Sequence, residues 1–151
     1  MIEERIKVEG AKWAGTMGAC CSLVSDGMSI DEKLVFDQRL DTLFGYASCE
    51  AESTQVLANS IHCFVLVGLG PHYVIPVGMF FVRSISGEEV YHFTIQVIRL
   101  VEKYGFRVVR KATDNHKTNQ YMVKKKWEER GRWNIACHTH ALLKGKTDRF
   151  F

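Results

Sequence analysis

The 151 residues suit a single domain that can bury a sizeable core, and they are too few for several. A 46% hydrophobic and 25% charged composition excludes a disordered chain. The longest apolar stretch, Ile61 to Val82, is interrupted by Gly68, Gly70, Pro71, His72 and Pro76, which excludes a membrane-spanning helix and predicts no membrane partner.

The net charge of +3 conceals a gradient. Residues 1–60 hold ten acids against five bases, whereas residues 99–132 hold eleven bases against four acids, so the second half is the expected polyanion-facing surface. A solvated helix face explains the same gradient equally well.

Residues 1–18 read as an N-terminal extension of mixed charge, with no apolar segment or cleavage site that would mark secretion, so an intracellular location is expected. These residues contain neither Cys nor His, so they hold no zinc module. The five cysteines, at 20, 21, 49, 63 and 137, form no C-x-x-C pair and are expected to be reduced thiols. Ala19 to Val24 is a short apolar run that stops at Ser25-Asp26-Gly27; it predicts a buried strand with Asp26 at its end. Leu34-Val35-Phe36 and Leu43-Phe44-Gly45-Tyr46 flank the turn-like residues 37–41 and predict a hairpin, followed by a polar loop or short helix over Ser48 to Ser60.

Ile61 to Leu69 and Tyr73 to Val82 are rich in Val and Phe and separated by Gly70-Pro71, which predicts two antiparallel neighbours. Val90, Phe93, Val97, Val101 and Tyr104 recur at helical spacing and predict a helix over Gly87 to Tyr104. Ser86 and Glu89 have capping-box spacing, and Gly105 stands where a left-handed terminal residue is wanted. Phe106 to Thr113 reads as a strand ending at Asp114-Asn115-His116. Lys117 to Arg130 reads as a basic amphipathic helix that buries Met122, Val123 and Trp127.

Antiparallel strands followed by a helix crossing to another strand predict an α/β fold with an RNase H-like mixed sheet in β-β-β-α-β-α order, incomplete within this chain, occupying residues 19–130. Residues 131–151 follow no recognisable pattern. If the last strand lies parallel beside the first, Asp26 and Asp114 approach each other, because neighbouring strands are about 4.8 Å apart. Two carboxylates at that spacing can share Mg²⁺ or Mn²⁺, hard cations that keep waters and so leave room for phosphate oxygens. Asp-Gly and Asp-Asn are also ordinary turn and cap sequences, and spacing alone does not separate the two readings.

The words "LVSDGMSI", "KLVFDQRLDTLFGYAS", "SGEEVYHFTIQVIRLVEKYGFRVV" and "TDNHKTNQYM" resemble, in order, the first-aspartate strand, hairpin, helix with following strand, and aspartate-asparagine motif of P-element-type DNA transposases, the THAP-related transposase family. The resemblance covers about Cys21 to Val123. It implies an RNase H-like catalytic domain in which Asp26 and Asp114 are the first two acids of a DDE-type metal site, with Asn119 beside them. It further implies Mg²⁺ or Mn²⁺ as cofactor, DNA as partner and a nuclear location; oligomeric state is left open.

The family's third acid, a glutamate, comes much later, after an inserted nucleotide-binding domain, so this chain is expected to be inactive by itself. Gly27 departs from the family's usual acid. Arg110-Lys111 interrupt what should be an apolar central strand, which predicts either a partly exposed strand or a decaying sequence.

Glu89 as a further metal ligand, the arrangement of an RNase H acting on RNA:DNA hybrids, competes with its simpler capping role. Glu128 and Glu129 read as solvated partners of a basic face, Cys137-His138-Thr139-His140 as too few zinc donors, and His116 as an exposed turn residue. Lys124-Lys125-Lys126 suit either DNA phosphates or a solvated helix face. Trp13, Trp127 and Trp133 read as core or lid residues. A non-catalytic module that binds nucleic acid or protein is the alternative function.

Overall fold

A computed structural model of the chain describes residues 2–48, 56–114 and 116–122. Its elements are α1 (Ile2–Trp13), a 3₁₀ turn (Met17–Ala19), β1 (Cys20–Ser29), β2 (Val35–Asp37), β3 (Thr42–Phe44), β4 (Ser60–Gly68), β5 (Val74–Val82), α2 (Gly87–Lys103), β6 (Arg107–Thr113) and α3 (Lys117–Met122). Four strands form one mixed sheet in the order β5-β4-β1-β6, and β2 and β3 form a separate hairpin. β1 pairs antiparallel with β4 and parallel with β6, the arrangement expected from the element order.

α2 forms where its apolar stripe was expected, and its start is fixed by a complete capping box: Glu89 N donates to Ser86 Oγ at 3.2 Å, and Ser86 N donates to the Glu89 carboxylate at 2.7 Å. Two otherwise orphaned amides are thereby satisfied. Glu89 therefore acts as a cap. At the other end Gly105 takes φ +92°, a conformation that favours glycine, and turns the chain directly into β6.

The stripe packs Val90, Val97, Ile98 and Val101 into one cluster with Cys21, Leu23, Phe64, Leu66, Ile75 and Val108. Burying each large aliphatic or aromatic side chain contributes about 1.5–3 kcal/mol, before the entropy of ordering is set against it. Residues alternating with this set on the strands, including Val24, Cys63, Val65 and Val67, are only half-buried. Pro76 is tolerated because β5 is an edge strand among the described residues.

Residues 1–18, given no element from the sequence, contain α1. Ile6 is fully buried in the shared core, and Gly10 lies so close to the end of α2 that a Cβ there would stand 2.1 Å from the Tyr104 carbonyl oxygen. α1 was missed because its mixed charge and weak apolar periodicity hide how few side chains it buries. Trp13 stacks on Tyr73, with ring centroids 5.9 Å apart, so it packs against the core as expected.

The β2–β3 hairpin is narrow and apolar, with Val35, Phe36, Leu43 and Phe44 all exposed. Among the described residues no helix is long and apolar enough to cross a membrane, and Cys20, Cys21 and Cys63 are free thiols. Cys49, Trp127, Trp133, Lys124 to Lys126, Glu128, Glu129, Cys137 to His140 and the second half of the expected basic helix lie outside the described residues.

Candidate metal centre

The central feature is the seam between β1 and β6. Cys21 faces Val108, an offset of 87 residues, but from Ser22↔Arg110 to Ser25↔Thr113 the offset is 88. One residue, Val109, is thus inserted in β6 as a bulge. A bulge changes which side chains face the core beyond it. Before it Phe106 and Val108 are buried; after it Lys111 and Thr113 are.

Carried one step past Ser25↔Thr113, the same register sets Asp114 beside Asp26, and both side chains are exposed. If Val109 were paired regularly instead of bulged, the buried parity of Phe106 and Val108 would continue to the even-numbered positions and turn Asp114 toward the core. Asp26 does not sit at a strand end, as the sequence suggested. β1 runs on to Ser29, and it is the partner strand β6 that stops at Thr113. The apolar run misled because it marks only the buried half of β1, while the half from Asp26 to Ser29 is exposed but still paired with β4.

Each carboxylate has one oxygen engaged locally. Asp26 Oδ1 accepts from Gly27 N at 2.8 Å. Asp114 Oδ1 accepts from His116 N at 3.2 Å and from Asn119 Nδ2 at 2.5 Å, so α3 serves as a brace for the second aspartate. Among the described residues neither Oδ2 has a hydrogen-bond partner in the structure, which leaves one hard oxygen on each aspartate available to a cation. His116 is exposed and its ring contacts Thr118 Oγ1 at 3.1 Å. Asn119 is buried, its own Oδ1 without a partner among the described residues.

Close to the pair lies a set of buried polar side chains, of which the sequence had singled out only Lys111. Ser25, His62, Lys111 and Thr113 are each at most 5% exposed. Lys111 Nζ donates to Ser25 Oγ at 2.6 Å and stands 5.2 Å from the centre of the Phe64 ring. Of the two expectations for this strand, partial exposure is the one met: Arg107 is exposed and Arg110 half-buried, while Lys111 is buried with a hydroxyl and a ring face near its ammonium.

His62 packs edge-on against Phe64, and its Nε2 is buried without a partner among the described residues. Burial, reinforced by the Lys111 charge and opposed by Asp26 and Asp114, depresses its pKa to about 4, so the ring is neutral near pH 7. A period-2 reading of β4 would have marked His62 as facing inward with Phe64 and Leu66.

Two carboxylates with an open oxygen each suit a hard divalent ion that completes its shell with water and phosphate oxygens. Among the described residues no group of three or more His, Cys, Asp and Glu side chains is placed to hold an ion.

Residues 5–126 match the family described as TNP-like, RNase H N-terminal domain. Among solved structures, the Drosophila P element transposase strand transfer complex superposes with a TM-score of 0.58 at 15% identity, over 88% of this chain. The chain spans 29% of the length of that transposase. The Mos1 mariner paired end complex with Mn gives a TM-score of 0.40 at 10% identity over 88% of this chain and 40% of that one, too weak a likeness to add to the argument. No curated protein of similar sequence was found. The match over most of its length shows that this chain belongs to the TNP-like, RNase H N-terminal domain family, and its fold is shared with the P element transposase structure.

Proposed function

We propose that this chain supplies the first two carboxylates, Asp26 and Asp114, of a divalent-metal centre that cleaves and joins DNA in a P-element-type transposase, and that it is inactive without a third carboxylate from elsewhere in a longer protein. The observation that carries the reading is the register that sets Asp114 beside Asp26 on the exposed side of the sheet end. A Mg²⁺ or Mn²⁺ ion held there would supply the positive charge that stabilises phosphate oxygens during displacement.

The chain's own residues would do the rest. Asp26 and Asp114 offer oxygen donors, and Asn119 fixes the orientation of Asp114 through the bond to Oδ1. Arg110 and Lys117 belong to the segment richest in bases, the side proposed to face the DNA backbone. DNA as partner and the nucleus as location follow from the same reading.

The test is Mn²⁺ binding by the folded chain, followed as loss of the free-ion electron paramagnetic resonance signal. Asp26→Asn and Asp114→Asn are each expected to weaken binding at least tenfold with the circular dichroism spectrum unchanged. Equal Mn²⁺ affinity in the parent and both variants would overturn the assignment.

A further inference from the structure

A buried lysine is an expensive way to fill a core position. Removing an ammonium from water costs several kcal/mol, its hydrogen bonds recover that only in part, and an apolar side chain of similar volume is often as stabilising or more so. Lys111 is 3% exposed in a strand whose other inward positions include Val108 and Thr113. The best-attested use of a buried polar contact is to specify register.

Register is what this position decides. Lys111 comes two residues after the Val109 bulge, at the first buried position of the shifted ladder, where it lies opposite Leu23. Its ammonium reaches along the seam to Ser25 Oγ at 2.6 Å, two rows of the ladder nearer the aspartates. Ser25 is 2% exposed and immediately precedes Asp26; its backbone faces Thr113, which immediately precedes Asp114. A slip of one residue in a strand sends every side chain to the other face. Here a slip would turn Asp114 inward and separate the two carboxylates. Phe64, below the ammonium, limits where it can settle.

We infer that Lys111 is a positioning residue: by donating to Ser25 across the β1–β6 seam it locks the ladder in the register that follows the bulge, and so holds Asp114 beside Asp26. The inference deepens the proposed metal centre and rests on it for its functional meaning, but its structural half stands without metal.

The experiment uses Lys111→Met, which keeps most of the stem volume and removes the donor, together with Ser25→Ala and Ser25→Thr. In the metal-free chain, the amides of residues 110–113 are expected to exchange with solvent at least tenfold faster in Lys111→Met, while those pairing β4 with β5 keep parent rates. Mn²⁺ affinity is expected to fall at least tenfold. Ser25→Ala shifts both readouts in the same direction; Ser25→Thr, which retains the acceptor, restores them.

Parent exchange rates at 110–113 in folded Lys111→Met overturn the inference, as does a loss in Ser25→Thr equal to that in Ser25→Ala. If Lys111→Met does not fold, the Ser25 pair decides by the same criteria. A parent chain that binds no Mn²⁺ refutes the proposed function instead, and the exchange measurement still decides the role of Lys111.

Discussion

Replacing His62 by Phe should remove a large part of the protein's sensitivity to mild acid. The His62 ring is buried and neutral in the fold, with its pKa depressed from 6.5 to about 4, chiefly by desolvation and then by the Lys111 charge, against the opposing pull of Asp26 and Asp114. The unfolded chain therefore takes up a proton near pH 6.5 that the folded chain refuses until about pH 4. The unfolded state binds more protons throughout that window, so stability falls as pH falls through it.

For a shift of this size, linkage makes the loss about 2 kcal/mol between pH 7.5 and pH 5, approaching about 3 kcal/mol at full extent. Phe keeps the aromatic packing against Phe64 and discards a ring nitrogen that has no partner, a change that is commonly neutral or favourable. Urea unfolding of parent and His62→Phe at a series of pH values gives the two curves. The variant should lose about 2 kcal/mol less than the parent between pH 7.5 and pH 5. Parallel curves would show that His62 titrates normally and would refute the argument that its surroundings exclude the charged form.

Two further outcomes follow from hydrogen bonds already described. Ser86→Ala removes half of the α2 capping box and should cost about 1 kcal/mol, seen as a fall in Tm of about 2–4 °C by calorimetry; an unchanged Tm would mean that the cap is not formed in solution. Asn119→Ala frees Asp114 Oδ1 from its side-chain brace and, under the proposed function, should weaken Mn²⁺ binding roughly 10–100-fold. Parent affinity in that variant would show that α3 does not orient the aspartate.

Local chemistry was legible in the sequence wherever a signal is short-ranged. The period and caps of α2, the Gly70-Pro71 reversal between β4 and β5 and the hairpin at residues 35–44 were all expected, and all are present. The two aspartates could be named, because each follows a short apolar run and stands in a family-like word. α1 was not legible, since its main anchor, Ile6, reaches a core assembled from residues far along the chain. Nor was the extent of β1: the exposed half from Asp26 onward has no apolar pattern and is held as a strand by pairing with β4.

The bulge at Val109 is the clearest case of a decision left to tertiary structure. In the sequence Arg110-Lys111 look like a fault in a core strand, because a strand read alone has one fixed alternation. Only pairing with β1 reveals the inserted residue, the change of parity after it and the buried bond from Lys111 to Ser25. The sequence by itself determined most of the elements after residue 19 and picked out the two acids as candidates, since those signals depend on neighbours within a few residues. Whether the acids meet depended on a register between strands more than eighty residues apart, which no local pattern encodes.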